Sequence, residues 1–460
     1  MSLLAADTVA TVDPAPALRE HDNARTRPAW GEPYWKVEPS APLATQLTKH
    51  TCDIAIVGGG LTGLITALLC AQQGASVTVL DAATPGAGAS GRNAGFVTPG
   101  LTSSHVVCKQ RYGEAVADAL WRFSIDAVDE TRQLIADQHI DCGLRRTGRL
   151  TLANTRAHHE RMRRWSVFSA ERFQTQLSIV DQADVPAYTS VGDHAGGMLD
   201  PTTLTIDSGR YVSGLVDRAT AAGVTIVTDC EVREIGSNAA PGDHRFVLKT
   251  GLGELRANTL VLAINGYMPG LESAWRRQVI PVGSGLIACA PLPDEARNWF
   301  SPRGLAIETS ENFKRYARLL PDGGLLFGGR DSLLPPESQK SSARLEYRLR
   351  DWLGPAFEHG MKISHAWPGR LGFTSAQLPI LAQSDGVYFA GGYCGHGIPF
   401  SNAFGQRLAR WITSGERPDT PFAHVTHRAL PARSLTQPLL AMATLYYRGY
   451  DHLERIWLNR

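Results

Sequence analysis

The sequence predicts a two-domain α/β protein. A Rossmann-like three-layer domain that binds a dinucleotide is interleaved along the chain with a mostly antiparallel α+β domain for the substrate. Three observations support this prediction. The chain has 460 residues, which exceeds what one hydrophobic core usually supports. Residues 53–82 have the pattern of a strand, a glycine-rich loop, a helix and a second strand. Residues 275–365 contain mainly short strands.

The composition is that of an ordinary soluble enzyme. Hydrophobic residues make up 43% and charged residues 20%, and the formal net charge of +2 argues neither for a nucleic-acid-binding protein nor for a membrane-surface protein. No run approaches the ~18 uninterrupted apolar residues of a transmembrane helix, and the N-terminus lacks the features of a secretory signal. The seven cysteines form no C-x-x-C pair, so we expect reduced thiols, no metal site and a cytoplasmic location.

The first 50 residues predict an N-terminal arm. They are rich in Pro, Ala and Thr and carry the aromatic cluster WGEPYW at residues 30–35. We expect an irregular segment whose aromatic side chains pack onto the body of the protein.

The dinucleotide site begins with a βαβ unit. Asp53–Val57 is a short apolar strand that leads directly into GGGLTG at residues 58–63. Leu61–Gln73 has a helical pattern that Gly74 ends, and Ser76–Leu80 is the second strand. The spacing G-x-G-x-x-G between a strand and a helix is that of a dinucleotide-binding loop.

Each residue of this loop has a predicted role. Gly58 permits the tight turn out of the strand, Gly60 lets the pyrophosphate approach the backbone, and Gly63 lets the helix pack against the strand. Leu61 and Thr62 begin the helix, whose free N–H groups and positive dipole end face the phosphates.

The second strand and the remaining elements complete the predicted order. Asp81 ends the second strand, close to the ~20 residues after the loop at which an acid hydrogen-bonds a ribose hydroxyl, and an acid there disfavours NADP. Residues 110–175 are helical, and a helix at 208–222 precedes several short strands. Residues 385–412 predict a strand, a glycine turn and a long helix, and residues 431–460 a helical C-terminal tail. The basic run HHERMRRW at 158–165 is interpreted as a solvated helix face rather than a metal or anion site.

Two further glycine-rich stretches carry chemistry. GASGRNAGFVTPG at residues 88–100 follows the second strand closely and predicts a loop of small residues with one arginine beside the cofactor. GGYCGHGIPFSNAFG at residues 391–405 is a strand–glycine–helix junction, so it offers a second helix N-terminus to an anion.

With these motifs, residues from about 50 to 450 resemble the FAD-dependent D-amino-acid-oxidase superfamily, in its branch of glycine oxidase-like and gamma-glutamylputrescine oxidase-like amine oxidoreductases. Weaker matches are TLVLAINGY at 259–267, YARLLPDGGLLFGGR at 316–330 and HAWPGRLGFTSAQLPIL at 365–381. The resemblance implies an FAD-binding domain formed by residues 51–105, 200–270 and 365–430. It implies a substrate domain formed by residues 106–199 and 271–364.

The resemblance also implies which residues bind FAD. Ser90, Arg92 and Asn93 would contact the phosphates or the ribityl chain, and the backbone of Gly95 and Phe96 would pass near the isoalloxazine ring. The backbone at Val232 would meet the adenine. The residues that would lie at the pyrimidine end of the flavin, where the helix N-terminus stabilises negative charge, are Gly395, His396, Gly397 and Ile398.

The activity implied by the resemblance is oxidation of a C–N bond in an amine or amino acid. Hydride passes to flavin N5, the imine hydrolyses, and O2 reoxidises the flavin. No strong base is obligatory, and a direct acid–base role of His396 competes with that of a turn histidine held by local hydrogen bonds. The candidate substrate-pocket residues are Tyr267, Tyr316, Trp367 and Arg370, and ordinary packing is an equal alternative for each.

The sequence departs from relatives that bind flavin covalently. No histidine adjoins Arg92-Asn93-Ala94 and no cysteine occurs in residues 365–381, so we expect non-covalent FAD, although Cys394 is close in sequence to the site. Three other functions stay open. They are a dehydrogenase of the same fold that passes electrons to a quinone or carrier, a tRNA-modifying flavoprotein, which the near-neutral charge disfavours, and an NAD-dependent dehydrogenase, which the Arg92 loop and the 395–397 helix start disfavour. The motifs identify neither the exact substrate nor the oligomeric state.

Overall fold

The structure is a computed structural model that describes residues 31–237, 244–267, 275–330, 332–334, 339–354, 361–429 and 433–457. Residues 1–30 of the predicted arm, including Trp30, lie outside the described residues. Residues 31–50 are irregular apart from a bridge between Ala44 and Val227. The Trp35 side chain is buried in the body, as the aromatic cluster predicts.

The described residues form strands and helices in the following order. The strands are β1 (Thr51–Val57), β2 (Val77–Leu80), β3 (Phe96–Val97), β4 (Arg145–Arg146), β5 (Arg149–Leu152), β6 (Ser178–Asp181), β7 (Gly196–Asp200), β8 (Leu204–Thr205), β9 (Thr225–Val227), β10 (Val232–Ser237), β11 (Phe246–Thr250), β12 (Gly253–Leu262), β13 (Ile280–Cys289), β14 (Ala306–Thr309), β15 (Arg315–Leu319), β16 (Leu325–Gly329), β17 (Ile363–Phe373), β18 (Ile380–Ser384) and β19 (Val387–Gly391). The helices are α1 (Leu61–Gln72), α2 (His105–Tyr112), α3 (Glu114–Asp137), α4 (Arg156–Phe173), α5 (Ser208–Ala221), α6 (Asp294–Phe300), α7 (Gln339–Leu353), α8 (Gly397–Ser414) and α9 (Arg433–Trp457).

The first sheet carries the predicted βαβ unit. Its strands run in the order β10-β11-β12-β1-β2-β9, and β19 pairs with the C-terminal part of β12 and with β18. β1 pairs in parallel with β2 and with β12. The loop at residues 58–63 therefore leaves the carboxyl end of a central parallel strand, where ligands bind in open α/β sheets.

Helices α1, α3, α5 and α8 pack together over one face of this sheet. Leu64, Ile65 and Leu68 of α1 are fully buried because α1 lies between the sheet and its neighbouring helices. α8 approaches α1 closely at Gly405, where a Cβ would lie 2.9 Å from that of Ile65. A second core on the other face contains Leu47 of the arm and Phe389 of β19.

The second sheet has eight strands in the order β17-β13-β16-β15-β14-β5-β7-β6. β14 and β5 pair in parallel, and the other neighbours pair antiparallel. Buried residues of α6 and α7 share a core with this sheet. The predicted α/β class, with a mostly antiparallel second sheet, is confirmed.

Two segments make contacts across the predicted domain boundaries. Residues 363–373 form β17, which pairs with β13 from Ile280–Phe373 to Cys289–Ile363. The segment predicted to begin the last part of the FAD-binding domain at residue 365 therefore starts within the second sheet. The expected substrate segment 106–199 begins with α2 and α3, but Phe123 of α3 packs against Phe400 and Phe404 of α8 on the first sheet. Partners distant in the sequence decide both placements.

Helix α9 occupies the predicted C-terminal tail and packs onto the body through Leu440 and Thr444. None of the helices in the described part of the chain has the length and apolar character needed to cross a membrane.

Candidate active site

A large cavity of about 1210 Å³ lies between the two sheets. The glycine loop, the 86–102 loop and the start of α8 line it from the first sheet, and strands β13, β14, β15 and β17 line it from the second. Leu440, Ala443 and Tyr447 of α9 also contribute to its wall. This volume exceeds that of most small-molecule pockets, about 300–1,000 Å³, so the cavity has room for a dinucleotide and a second small molecule.

The glycine loop has the geometry that a dinucleotide requires. Gly58 has a φ of +108°, and a Cβ there would lie 2.7 Å from the carbonyl oxygen of Ala263. A Cβ on Gly60 would lie 2.9 Å from Oγ of Ser90, and one on Gly63 would collide with the carbonyl oxygen of Gly58. Gly58, Gly60, Leu61 and Thr62 line the cavity, whereas Gly63 faces the strand, as expected for helix packing.

Asp81 lies at the edge of the cavity with its carboxylate held in place. Oδ2 accepts a hydrogen bond from the N–H of Gly59 at 2.7 Å, and Oδ1 accepts one from the N–H of Ala83 at 2.9 Å. Burial raises the pKa of this carboxyl, and the two N–H donors oppose the rise. Val232, which follows β9 after the turn at Cys230, lines the same end of the cavity.

Ser90 and Asn93 hold the 88–95 loop in shape. Oγ of Ser90 accepts the N–H of Leu61 at 3.0 Å, so the loop is tied to the first turn of α1. Nδ2 of Asn93 donates to the carbonyls of Ala89 and Ser90, and its Oδ1 accepts from the N–H of Gly95 and from Oγ of Ser208. Both residues line the cavity, but the hydrogen-bonding groups of the Asn93 side chain are engaged within the protein.

Arg92 also has protein partners. Its Nε donates to the carbonyl of Ala87 and its Nη1 to that of Gly31, both at 2.8 Å. The side chain lines the cavity, so its charge acts on the site even though two donors are directed to the backbone.

Three side chains from distant segments bind three consecutive carbonyls of this loop. Nε1 of Trp367 donates to Arg92 O at 3.1 Å, Nε1 of Trp35 to Asn93 O at 2.6 Å, and Nε of Arg318 to Ala94 O at 2.8 Å. Burial lowers the pKa of Arg318 to about 10, which leaves the guanidinium charged at neutral pH. We call this arrangement the carbonyl clamp.

The clamp continues at Gly95, which has a φ of +73°. A Cβ there would collide with the carbonyl oxygen of Ile206, to which Nη2 of Arg318 donates at 2.7 Å. Gly95 therefore packs away from the cavity, and the next residue, Phe96, lines it.

The start of α8 forms another part of the wall, with Gly395, His396, Gly397 and Ile398 all lining the cavity. Oγ1 of Thr102 donates to Cys394 O at 2.6 Å and lies 3.3 Å from Nδ1 of His396. Because the Thr102 hydrogen is used on the carbonyl, the Thr102 oxygen is placed to accept from Nδ1, which favours the tautomer that keeps the lone pair on Nε2. Burial, with the charges of Lys314 and Arg149, lowers the pKa of His396 to about 4.

Cys394 precedes this helix and is buried. Its Sγ donates to the carbonyl of Gly392 at 3.0 Å, and burial raises the pKa of the thiol to about 11. A protonated, hydrogen-bonded thiol is a poor nucleophile.

The four expected pocket residues separate into two groups. Tyr267, Tyr316 and Arg370 line the cavity, with the Arg370 guanidinium 5.2 Å from the centre of the Tyr267 ring. The Tyr316 ring lies across Gly328 of the neighbouring strand and contacts Phe96 edge-to-face at 5.8 Å. Trp367 does not line the cavity, because its fully buried ring belongs to the carbonyl clamp.

A charged cluster on the second sheet, centred on Glu308, also lines the cavity and was not expected from the sequence. Its Oε1 lies 3.3 Å from Nη1 of Arg149 and 3.6 Å from Nζ of Lys314, and it accepts a hydrogen bond from Oγ1 of Thr151 at 3.0 Å. Burial raises the pKa of this carboxyl, but Arg149 and Lys314 outweigh burial and lower the pKa to about 2. Glu308 is therefore an anion throughout the neutral range.

Arg330 follows β16 and is a further cavity residue that the sequence did not single out. Its guanidinium carbon lies 5.4 Å from the centre of the Phe373 ring. Burial lowers its pKa. Within the parts of the chain that the structure describes, no carboxylate lies within ion-pair distance of it, so its charge faces the cavity.

The basic run at 158–165 lies on α4, where its arginines are exposed as expected of a solvated face, whereas His158 and His159 are buried. His158 Nδ1 lies 2.5 Å from Ser310 Oγ, and Nε2 lies 3.1 Å from the carboxylate of Glu454. No group of three or more metal-ligating side chains occurs within the described ranges.

Comparison with known proteins identifies the family. Residues 53–411 match the family described as DAO, FAD dependent oxidoreductase. The chain belongs to this family. Gamma-glutamylputrescine oxidoreductase of Escherichia coli (strain K12) is 27% identical over 433 residues, which are 90% of this chain and 96% of that protein. Glycine oxidase of Geobacillus kaustophilus (strain HTA426) is 25% identical over 389 residues, covering 81% and 95%.

Solved structures agree on the fold of this DAO-family chain. The crystal structure of glycine oxidase from Geobacillus kaustophilus has a TM-score of 0.68 at 21% identity and covers 83% of this chain and all of that one. L-proline dehydrogenase from P. horikoshii has a TM-score of 0.64 at 17% identity, covering 81% and 96%.

The residues of this DAO-family chain fit FAD. Gly60 leaves a space next to Ser90 that a Cβ would fill, and the N-termini of α1 and α8 both reach the cavity. Asp81 lies where a ribose would be bound. The carbonyl clamp and the Glu308 cluster were missed from the sequence because they depend on partners far along the chain. Only the WGEPYW cluster gave a signal for Trp35.

Proposed function

We propose that this chain binds FAD non-covalently and oxidises the C–N bond of a small amine or amino acid that carries an anionic group. Oxidation yields an imine, which hydrolyses to a carbonyl compound and an amine or ammonia. The names of the relatives support the C–N chemistry, since one is a gamma-glutamylputrescine oxidoreductase and another a glycine oxidase. The proposal that the substrate has an anionic group rests on Arg330, a cavity cation with no acidic partner among the described residues.

The residues that would hold FAD come from three segments. The α1 N-terminus, including Leu61 and Thr62, would face the pyrophosphate, and Asp81 would accept from a ribose hydroxyl. Val232 would lie beside the adenine, and the α8 N-terminus would face the flavin. When bound, FAD supplies a two-electron acceptor for the hydride of the substrate.

Ser90, Arg92 and Asn93 make hydrogen bonds within the protein, so in this proposal they shape the cofactor site in addition to contacting FAD. Ser90 positions the first N–H of α1, and Asn93 fixes the turn of the loop. Arg92 contributes positive charge while its donors fix the loop to Ala87 and Gly31. In this proposal they preorganise the phosphate and ribityl site.

Non-covalent binding is supported by the state of Cys394. Its thiol is buried and hydrogen-bonded to the carbonyl of Gly392, and its pKa is raised, so it is a poor nucleophile toward the flavin. Acid precipitation should release all of the flavin into the supernatant as intact FAD. Yellow colour that stays with the pellet would show a covalent bond.

The substrate half of the cavity has a positive balance. Glu308 is neutralised by Arg149 and Lys314, which leaves the charge of Arg330, together with that of Arg370, to orient a carboxylate or a similar anion. Tyr267, Tyr316 and Arg370 would form other walls of the pocket. No paired general base is required, because a neutral amine delivers hydride without one.

His396 has a positioning task in this proposal. With a pKa of about 4 it is neutral at physiological pH, and its Nε2 lone pair accepts a hydrogen bond rather than taking up a proton. The N–H of a substrate amine is the donor that such an acceptor recognises.

An anaerobic reduction experiment tests the activity. The purified protein should show absorption near ~450 nm that is bleached by an amine or amino acid. Matched pairs of amines with and without a carboxylate should differ, with the anionic member reducing the flavin at lower concentration. Replacing Arg330 with Met should remove most of that difference while FAD stays bound. Failure of every amine in the panel would contradict the C–N chemistry, and equal responses of the matched pairs would contradict the role of Arg330.

The electron acceptor in this proposal is O2, and a quinone or electron carrier is the alternative. Readmitting air to the reduced protein should restore the ~450 nm band and produce hydrogen peroxide. Slow recovery in air, together with rapid recovery on addition of a soluble quinone, would assign the chain as a dehydrogenase. The cytoplasm stays the expected site of action.

A further inference from the structure

The outer face of α9 is apolar and exposed along its length. Six residues recur there in alternating steps of three and four: Leu439, Met442, Tyr446, Gly449, Leu453 and Ile456. The five large side chains among them are 43–66% exposed. Exposed apolar surface of this extent on one element is unusual for a protein without a binding partner.

The inner face of α9 is fixed to the body, so the outer face has a defined direction. Oγ1 of Thr444 accepts the N–H of Leu333 at 3.0 Å, and the Asp451 carboxylate accepts the N–H groups of Asn312 and Phe313 at 3.1 Å. Glu454 lies 3.1 Å from His158. Both acidic side chains of the helix are therefore directed to the body, and the six-residue outer seam carries no charge.

The spacing of the seam is that of a coiled coil. Steps of three and four residues keep one line of side chains facing a neighbouring helix, which a lipid surface does not require. The seam is also symmetric about its centre, between Tyr447 and Arg448. In an antiparallel pair, Leu439 faces Ile456 of the partner subunit, and Met442 faces Leu453 of the partner subunit.

The central pair is complementary in size. Tyr446 would face Gly449 of the partner subunit, and nothing lies within 4 Å of a Cβ placed on Gly449. The Tyr446 ring of each helix thus fits into the open space at Gly449 on the other helix. The two-fold axis makes this contact occur twice.

From this self-complementarity we propose that α9 packs antiparallel against α9 of a second copy and forms a two-fold symmetric dimer. The inner face of the same helix lines the active-site cavity through Leu440, Ala443 and Tyr447. The pairing would therefore hold one wall of the cavity in place from outside. The dimer does not depend on the proposed substrate or electron acceptor.

Light scattering and sedimentation of the FAD-loaded protein test the dimer. Wild type should have twice the mass of the 460-residue chain at micromolar concentration. Met442→Glu should raise the dissociation constant at least ~100-fold, because two unpaired carboxylates would be buried in the seam. Met442 is 58% exposed within one copy, so the variant should fold and keep its FAD. Val167→Glu, at a position 61% exposed on α4, is the matched control and should stay dimeric.

A charge pair tests the antiparallel register. Met442→Glu combined with Leu453→Lys should restore the dimer, because each carboxylate would face the ammonium of the partner subunit. The two positions lie about 16 Å apart along one helix, too far to pair within it. In a parallel pair like charges would meet and the double variant would stay monomeric. A monomeric wild type, a Met442→Glu variant that remains dimeric, or monomers that bind vesicles of anionic lipid through α9 would overturn the proposal.

Discussion

At Gly60 the missing side chain leaves the space that the dinucleotide loop requires. A Cβ there would lie 2.9 Å from Oγ of Ser90, and the branches of a valine would extend into the cavity. We expect Gly60→Val to abolish FAD binding, because the pyrophosphate must approach this backbone closely. The measurement is the ratio of ~450 nm to 280 nm absorbance after purification. Gly236→Val is the control, since a Cβ there has only Val247 O nearby, at 3.8 Å. A full flavin complement in Gly60→Val would contradict the assignment of this loop.

A substitution at His396 should affect the rate of flavin reduction, because this residue is expected to act on the reaction and not on cofactor binding. Its removal as His396→Ala should leave FAD bound, since the glycine loop at residues 58–63 is expected to provide most of the anchoring. Flavin reduction should slow by about tenfold, equivalent to ~1.4 kcal/mol of lost orientation. Because burial lowers the pKa of His396 to about 4, the reduction rate should show no inflection from this residue between pH 6 and 8. Stopped-flow reduction across that range checks both statements, and an inflection near pH 6.5 that His396→Ala removes would contradict them.

The sequence predicted that the loop at 88–100 lies beside the cofactor, but it did not predict the hydrogen-bond partners of the loop residues. Ser90, Arg92 and Asn93 are small or polar residues beside a cofactor site, which the motif indicates. That Asn93 has all its hydrogen-bonding groups engaged within the protein depends on Ser208, which is distant in the chain. Trp367 matched a segment near the flavin, yet its N–H binds Arg92 O and the ring lies in the core. The residue pattern of one segment cannot specify a hydrogen bond that this segment makes with another, distant segment.

At the scale of an element, the carbonyl clamp makes the loop rigid. Trp35→Phe removes the N–H that binds Asn93 O and preserves most of the ring. We expect the free energy of unfolding to fall by about 1–2 kcal/mol, because a carbonyl would be left without its donor. Trp352→Phe is a matched control, because it loses the same part of a buried ring but its Nε1 has no hydrogen-bond partner, so the extra loss in Trp35→Phe measures the hydrogen bond. Urea unfolding of both variants measures the difference, and equal losses would show that the clamp does not stabilise the loop.

Elements with strong local patterns were predicted well. The β1–α1–β2 unit lies where the apolar runs and Gly74 place it, and α8 begins at the glycine turn. Helices α6 and α7 were missed within a region that was predicted to be mainly strands. The pairing of β17 with β13 could not be predicted, because the local pattern of β17 does not identify its partner. Local periodicity specifies the type of an element, whereas its position depends on long-range pairing.

At the scale of the whole molecule, two histidines whose pKa is lowered by burial have a consequence for stability. Burial lowers the pKa of His396 and of His427 to about 4. In the unfolded chain a histidine has an ordinary pKa of about 6.5. Between pH 6.5 and 4 the unfolded chain therefore binds more protons than the folded protein. The free energy of unfolding should fall as the pH is lowered through this window.

His427→Gln tests this linkage away from the cavity, which His427 does not line. The variant removes one group that takes up a proton on unfolding, so its stability should decline less steeply between pH 6.5 and 4 than that of wild type. His424→Gln, which replaces an exposed histidine three residues earlier, should keep the wild-type slope. Urea midpoints measured at half-unit pH intervals give the slopes. If His427→Gln and wild type lose stability in parallel, His427 is protonated in the folded protein, and burial does not hold it neutral.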